Sequence, residues 1–206
     1  MLNIQNYTGG FTATNGYAIQ SDGGCILIDA PEGMTGWLKG NEITPAALLL
    51  THLHFDHVMD VQAIVEEFSI PVYAFTTLTR DLTLEDMLGA FTGSNFEVKP
   101  FEVNHLLEGK STVSVSGRDF ELLHVPGHSP DSLCFHLKED GILFGGDVLF
   151  NRGIGRSDFP HSDSALLENG IRERVYKLDE ATRVLPGHGP ETSVGDEKAQ
   201  NPFVRP

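Results

Sequence analysis

Four side chains of metal-binding types lie within six residues of the sequence, directly after an apolar run. The run is Ala46 to Leu50, and the side chains are those of His52, His54, Asp56 and His57. Such a run predicts a buried strand, so the polar cluster that follows it would be partly removed from water, which is costly unless something compensates it. A divalent cation is the simplest compensation, and imidazole with carboxylate suits zinc or iron better than magnesium or calcium.

Three more apolar segments end in a glycine turn that delivers a His or an Asp. The segments are Phe120–Val125, Ile142–Phe144 and Thr182–Leu185, and the side chains that follow them are those of His128, Asp147 and His188. Glycine lets the backbone turn tightly and approach a crowded site. One Gly-His pair is a weak signal, but four strand ends of this kind predict that their ligands converge on one place.

These segments resemble the metallo-β-lactamase superfamily, specifically its hydroxyacylglutathione hydrolase (glyoxalase II) branch and the compact bacterial proteins related to it. The resemblance spans nearly the whole chain. Its motifs are the T-H-x-H-x-D-H run, P-G-H-S at 126–129, G-D-V-L-F at 146–150, G-R-S-D-F at 155–159, L-P-G-H-G at 185–189 and N-P-F at 201–203. The resemblance implies an α/β fold, the four-layer αββα sandwich, built as a single domain over residues 1–206.

The resemblance also implies the ligands of two divalent metal ions, with zinc expected first and iron or manganese as the other choices. Asp29, at the end of the predicted strand Cys25–Asp29, matches a position that supports the ligands from behind. The first ion would be bound by His52, His54 and His128, the second by Asp56, His57 and His188, and Asp147 would bridge the two.

Charge balance predicts the nucleophile of such a site. Two divalent ions bring four positive charges, while two carboxylates and one bridging hydroxide cancel three of them and the neutral imidazoles cancel none. The hydroxide should persist near neutral pH, because metal binding lowers the pKa of water to about 7. This metal-bridging hydroxide would attack the carbonyl carbon of a thioester, ester or lactone, and Asp56 would act as the catalytic residue that orients the water or accepts its proton.

The expected substrate is an S-2-hydroxyacylglutathione such as S-lactoylglutathione, or a smaller thioester. Arg156, Arg152 and His161 are the candidate substrate-binding residues, since they lie in or beside the glycine-rich loop after the bridging aspartate, and a guanidinium grips a carboxylate with two hydrogen bonds. The sequence ends soon after His188, whereas glyoxalase II enzymes continue into a helical domain that contacts glutathione. Tight binding of glutathione is therefore not expected.

Other functions stay open. A persulfide dioxygenase of the same superfamily would use His52, His128 and Asp147 around a single iron, and has a similar Gly-Arg-(Ser/Thr)-Asp-Phe loop. A lactonase or another ester hydrolase of the same fold is a further alternative. A protein that only stores or binds metal is disfavoured, because all seven ligands are present and an open two-metal site suits chemistry.

The composition limits the partners. The chain has 14 Lys and Arg against 29 Asp and Glu, a formal charge of −15, and no basic stripe that could neutralise nucleic-acid phosphates. The expected partner is a small anionic thioester, and the protein is expected to be a monomer or small homo-oligomer.

No targeting signal or apolar run of membrane-spanning length stands out, so we expect a cytoplasmic protein without a membrane partner. Cys25 and Cys134 are expected to be buried, reduced thiols.

Hydrophobic periodicity predicts a series of strands and helices. The predicted strands are Leu2–Gln5, Gly16–Gln20, Cys25–Asp29, Ala46–Leu50, Val72–Phe75, Thr112–Val115, Phe120–Val125, Leu133–Leu137, Ile142–Phe144 and Thr182–Leu185. The predicted helices are Thr35–Gly40, Val58–Phe68, Thr77–Leu88, Ser164–Lys177 and Gly195–Asn201. Thr76 or Thr77 is expected to cap the third helix. His105, His124 and His136 are expected to be structural.

Overall fold

The computed structural model describes residues 2–93 and 97–206, which form two compact units. The N-terminal unit comprises residues 2–93, 97–108 and 115–117, and the C-terminal unit comprises residues 109–114 and 118–206. Each unit is built around one six-stranded sheet. The ligand-bearing turns predicted from the sequence are therefore distributed over two sheets.

The sheet of the N-terminal unit has the strand order β1-β2-β3-β4-β5-β6. Its first three strands are antiparallel, and the strands from β3 to β6 are parallel. Strands β3 and β4 are short apolar runs that are almost wholly buried, as parallel strands in α/β sheets generally are. The strands are β1 Ile4–Gly9, β2 Thr14–Ile19, β3 Cys25–Ile28, β4 Pro45–Leu49, β5 Val72–Ala74 and β6 His105–Leu106.

Helices connect the parallel strands of this unit, because a parallel pair cannot be joined by a tight turn. Helix α1 joins β3 to β4, α2 and α3 join β4 to β5, and α4 and α5 lie between β5 and β6. Val61 and Ile64 of α3 are fully buried in the core of the unit. The helices are α1 Met34–Gly40, α2 Phe55–Val58, α3 Val61–Phe68, α4 Arg80–Thr83 and α5 Glu85–Thr92.

The sheet of the C-terminal unit has the order β14-β13-β10-β9-β8-β7. Its central strands β8, β9 and β10 are antiparallel, and β10 pairs with β13 in parallel. The strands are β7 Thr112–Val115, β8 Arg118–His124, β9 Leu133–Leu137, β10 Ile142–Gly146, β13 Arg183–Pro186 and β14 Thr192–Ser193, with a separate two-stranded sheet of β11 Leu149–Phe150 and β12 Gly153–Ile154.

Two α-helices and two short 3-10 helices complete this unit. Helix α6, Ser164–Glu173, is capped by the Asp163 side chain, which accepts hydrogen bonds from the backbone N–H groups of Ala165 and Leu166 at 2.9 and 3.0 Å. Its Leu167 and Ile171 side chains are fully buried, whereas Leu166 is 51% exposed. The others are α7 Val194–Gln200 and the 3-10 helices Lys138–Asp140 and Val175–Lys177.

The strands are predicted better than the helices. Each predicted strand overlaps an observed one, and Thr112–Val115 and Leu133–Leu137 have the predicted bounds. The predicted helices Val58–Phe68 and Thr77–Leu88 are each wrong as continuous helices. In the second, Leu84 has a φ of 58°, which a right-handed helix cannot contain, so α4 ends before it and α5 begins after it. The residue that precedes this pair of helices is Thr79, not the predicted Thr76 or Thr77.

The two cysteines are free and buried, as predicted. Burial raises the pKa of Cys25 to about 11 and that of Cys134 to about 12, so both thiols stay protonated at neutral pH. Over residues 2–93 and 97–206, no helix has the length and apolar character needed to cross a membrane.

Candidate metal centre

The predicted ligands of the N-terminal unit follow strand β4. His52, His54 and His57 are almost fully buried, and Asp56 and His57 lie on the short helix α2. The centroid of the His52 ring lies 4.1 Å from that of His57 and 4.6 Å from that of His54. Three buried imidazoles this close could not all be charged, whereas neutral imidazoles are the form that binds a divalent ion.

Asp29 holds two of these rings in one tautomer. Its carboxylate is 2% exposed and accepts hydrogen bonds from Thr51 N and Thr51 Oγ1, both at 2.7 Å, and from His57 Nδ1 at 2.8 Å. Because the Thr51 hydroxyl donates to Asp29, its oxygen accepts from His52 Nδ1 at 3.1 Å. Both histidines therefore carry the proton on Nδ1 and the lone pair on Nε2, as metal-ligating histidines with a carboxylate behind them do.

Asp56 is oriented by a threonine at the start of strand β2. Thr14 is fully buried, and its hydroxyl donates to Oδ2 of Asp56 at 2.7 Å. The same oxygen of Asp56 lies 3.9 Å from Nε2 of His57, beyond the usual range of a hydrogen bond. Thr14 therefore restricts the rotation of the carboxylate beside the imidazole that follows it in the sequence.

His128 follows a turn that only glycine can make. Gly127 has a φ of 132°, and a Cβ there would collide with the backbone of Leu167 in helix α6. The Nδ1 atom of His128 donates to the carbonyl of Arg156 at 2.7 Å, and the hydroxyl of Ser162 donates to the carbonyl of His128 at 2.6 Å. His128 is thus also held with its lone pair on Nε2.

Asp147 and His188 come together because they follow neighbouring parallel strands. Strand β10 ends before Asp147 and strand β13 ends before the His188 turn, and the N–H of Gly187 donates to the carbonyl of Gly146 at 2.8 Å. Oδ2 of Asp147 lies 3.4 Å from Nε2 of His188 and 3.5 Å from Nε2 of His128. Ligands about 2.0–2.1 Å from one tetrahedral zinc ion lie about 3.4 Å from each other, so this spacing fits shared coordination.

The donor set fits a metal ion. The His and Asp side chains that could hold one are His52, His54, Asp56 and His57 in the N-terminal unit, and His128, Asp147 and His188 in the C-terminal unit. Nε2-presenting imidazoles with carboxylates suit zinc and iron.

Arg156, a predicted substrate-binding residue, lies on the surface. Its guanidinium donates to both carboxylate oxygens of Asp158 at 2.9 and 2.8 Å, and lies 4.4 Å from the centroid of the Phe159 ring. The pair raises the pKa of Arg156 and lowers that of Asp158 through their mutual hydrogen bonds. Both side chains are 67% exposed, so the guanidinium is accessible to an anion from solvent.

The other two predicted substrate-binding residues differ from Arg156. The guanidinium of Arg152 donates at 2.6 Å to Glu197, which is fully buried. This ion pair gives Arg152 a structural role and makes it the weaker candidate of the two arginines. His161 is exposed and has a φ of 66°, directly after the loop that carries Arg156.

Sequence reasoning missed the residues that orient the ligands. Thr14, Thr51 and Ser162 are hydroxyl residues with no motif that marks them, except that Thr51 belongs to the ligand run itself. Gly155 stands in the sequence only as part of the G-R-S-D-F motif, yet a Cβ there would collide with the backbone oxygen of Asp147. Its role could be predicted only after the fold brings these segments together.

Known relatives extend over most of the chain. A probable metallo-hydrolase of Bacillus subtilis, YqgX, is 37% identical over 193 residues, which is 92% of each chain. The hydroxyacylglutathione hydrolase GloC of Haemophilus influenzae is 35% identical over 159 residues, covering 76% of this chain and 74% of that protein. The chain thus resembles one protein named as a probable metallo-hydrolase and one named as a hydroxyacylglutathione hydrolase.

Two solved structures are also similar to this chain over nearly its whole length. The crystal structure of BLEG-1 B3 metallo-beta-lactamase is 34% identical with a TM-score of 0.86, covering 98% of this chain and 99% of that one. The structure of TTHA1623 in a di-iron-bound form is 35% identical with a TM-score of 0.83, covering 97% and 100%. These similarities confirm the predicted α/β fold class. Because the model of the metallo-beta-lactamase superfamily matches residues 9–188, the chain belongs to that superfamily.

Proposed function

We propose that the protein is a binuclear metallohydrolase that cleaves thioesters, with glyoxalase II-like chemistry. The observation that carries the proposal is that Oδ2 of Asp147 lies 3.4 Å from Nε2 of His188 and 3.5 Å from Nε2 of His128, in a chain of this superfamily that also holds the rings of His52, His54 and His57 buried and close together. Seven ligands exceed what one ion takes, since a zinc site uses about three or four protein ligands. The expected ions are zinc, with iron or manganese as alternatives, and Asp147 is the ligand that both would share.

The chain's own residues would prepare the reaction. Bound metal ions supply a water of lowered pKa, about 7, and polarise the substrate carbonyl. Asp56, held by Thr14 at 2.7 Å, would orient that water and accept its proton. Asp29 and the carbonyl of Arg156 keep the ligand imidazoles in the metal-binding tautomer, so no ligand has to reorganise during turnover.

The similarity to GloC supports a thioester as the substrate. The formal charge of −15 argues against nucleic acid, so a small anionic acyl compound fits better. Arg156 would bind its carboxylate. Asp158 would have to release or share the guanidinium, and this exchange costs little, because an exposed ion pair is weakened by solvent.

A persulfide dioxygenase is the principal rival. It would need His52, His128 and Asp147 around one iron, and would leave Asp56, His57 and His188 without a metal. The similarity to a protein solved in a di-iron form supports two metals over one, and leaves iron as a candidate for the native ion. A lactonase would share the two-metal site and differ only in the substrate.

Metal content and turnover test the proposal together. The freshly purified protein is analysed for metals and assayed with S-lactoylglutathione, smaller thioesters, lactones, a β-lactam, and glutathione persulfide under oxygen-uptake measurement. We expect two metals per chain and thioester hydrolysis. One iron per chain with oxygen consumption on the persulfide, or turnover of lactones or β-lactams in preference to thioesters, would overturn the assignment.

The variant Asp147→Asn gives the matched test of the site. We expect it to lose metal and thioester hydrolysis, because it removes the carboxylate that both ions would share. The exposed Asp22→Asn, which makes the same chemical change elsewhere, should keep both. Unchanged hydrolysis in Asp147→Asn would remove Asp147 from the mechanism.

A further inference from the structure

Glu197 on helix α7 is a fully buried carboxylate with four hydrogen-bond donors around it. Arg152 donates from Nη1 at 2.6 Å and from its backbone N–H at 3.0 Å. Thr192 Oγ1 donates at 2.6 Å and Asn201 Nδ2 at 2.9 Å. A buried ion pair is tolerated only when its geometry is good and its remaining atoms are bonded, and both conditions hold here.

Two of these contacts fix the turn of the β11–β12 hairpin. Arg152 lies in that turn with a φ of 60°, a conformation that residues other than glycine seldom adopt. The backbone N–H of Arg152 donates to the Glu197 carboxylate, and Nδ2 of Asn201 also donates to the carbonyl of Gly153 at 3.1 Å. The hairpin has only two residues in each strand, too few to hold its own conformation, so it depends on these external contacts.

The segment that contains the hairpin brings two of the proposed metal ligands, Asp147 and His128, into close contact. The hairpin begins two residues after Asp147, and the N–H of Gly155, just after β12, donates to the carbonyl of Val148 at 3.4 Å. A Cβ on Gly155 would collide with the backbone of Asp147 and lie 3.0 Å from Cγ of His128, so the three residues are in close contact. The next residue, Arg156, supplies the carbonyl that binds Nδ1 of His128.

We propose that Glu197 is a positioning residue, which holds the β11–β12 hairpin through Arg152 and thereby sets the orientation of His128 and Asp147. The C-terminal helix α7 would then influence metal binding at ligands that lie far from it in the sequence. This inference rests on the proposed metal site and is independent of the proposed substrate.

Titration of the metal-free full-length protein with Co²⁺, followed by its visible absorption, tests the inference. We expect Glu197→Gln and Arg152→Gln each to weaken Co²⁺ binding about tenfold, the low end for partners of metal ligands, and to change the Co²⁺ spectrum. The double variant should be little worse than either single one, because both remove the same interaction. Arg152→Lys, which keeps the charge, should restore most of the affinity.

Tyr176→Phe is the matched control. Its hydroxyl donates to the carbonyls of Glu197 and Val204 at 3.2 and 3.1 Å, so the variant loosens the same helix without touching the Arg152 contact. We expect it to lose stability in urea and keep its Co²⁺ affinity and spectrum. In the hydrolysis assay, the two Gln variants should lower kcat with little change in KM.

The outcomes separate the two proposals. If the wild type binds Co²⁺ but hydrolyses no thioester, the proposed substrate is wrong and the titration still tests Glu197. If Arg152→Gln does not fold, because it leaves the fully buried Glu197 carboxylate without its cation, Glu197→Gln carries the test, since the released guanidinium is 38% exposed and can be solvated. Normal Co²⁺ affinity and spectrum in the Gln variants, or an equal loss in Tyr176→Phe, would show a purely structural role and overturn the inference.

Discussion

Replacing Asp29 by Asn tests how the ligand imidazoles are oriented. The substitution keeps the size of the side chain, and Asn tolerates the left-handed φ of 58° found at this position, so neither a cavity nor backbone strain is introduced. The carboxylate accepts three hydrogen bonds, two from Thr51 and one from His57. An amide has one oxygen, and its nitrogen can only donate, so Asn cannot satisfy all three donors.

Either orientation of the amide has a defined cost. With its oxygen toward His57, the amide nitrogen faces the N–H of Thr51 and leaves a buried donor unsatisfied, which costs about 1–3 kcal/mol of stability. With its nitrogen toward His57, the imidazole must move its proton to Nε2, the atom needed for metal. Loss of a partner behind a ligand typically weakens metal binding about 10–100-fold, which corresponds to about 1.4–2.8 kcal/mol.

Two measurements on Asp29→Asn separate these outcomes. Zn²⁺ affinity is determined by competition with a chromophoric chelator, and stability by urea unfolding of the metal-free protein. We expect at least tenfold weaker Zn²⁺ binding relative to the exposed control Asp22→Asn. Wild-type Zn²⁺ affinity together with wild-type stability in Asp29→Asn would refute the argument that Asp29 holds His57 in this tautomer.

Three further predictions follow from the contacts described. Thr14→Val should lower kcat of thioester hydrolysis about tenfold or less with little change in fold by circular dichroism, because it removes one hydrogen bond to Asp56; wild-type kcat would contradict this. Gly155→Ala should abolish metal binding measured by elemental analysis, because its Cβ would collide with a ligand's backbone; full metal occupancy would contradict it. Burial raises the pKa of Cys25 to about 11 and that of Cys134 to about 12, so their thiolate forms appear only as the pH rises toward these values. At pH 8, a disulfide reagent should therefore modify neither cysteine until the protein is unfolded. Rapid modification of the native protein would contradict this.

The ligands could be predicted from the sequence because the signals are local. An apolar strand followed by a short turn places its ligand at the end of a sheet, and both His52 after β4 and Asp147 after β10 follow this pattern. The strands themselves were predicted for the same reason, since a buried strand is an apolar run of fixed period. The two-residue strands β6 and β14 were not, because pairs so short exist only through their neighbours in the sheet.

The helices after β4 show how tertiary contacts override a periodic pattern. The sequence predicts one helix over Val58–Phe68. In the structure the helix is interrupted between α2, which ends at Val58, and α3, which begins at Val61. At the break, the N–H of Ala30 donates to the carbonyl of His57 at 2.8 Å, and the N–H of Asp60 donates to the carbonyl of Ala30 at 3.0 Å. Backbone groups that a continuous helix would use internally bond instead to the segment after β3, and nothing in the local sequence marks this exchange.

The residues that hydrogen-bond to the ligands and to the segments around them could not be predicted from the sequence, because the two members of each pair lie far apart along the chain. Thr14 and Asp56 are 42 residues apart, and Arg152 and Glu197 are 45 residues apart. A sequence with 29 acidic and 14 basic side chains does not say which carboxylate a given arginine neutralises. Burial decides this, because a fully buried carboxylate such as Glu197 needs a cation, whereas Asp158 on the surface does not. The same criterion favours Arg156 over Arg152 for the substrate, since only a weakly held surface partner can be exchanged for a substrate carboxylate.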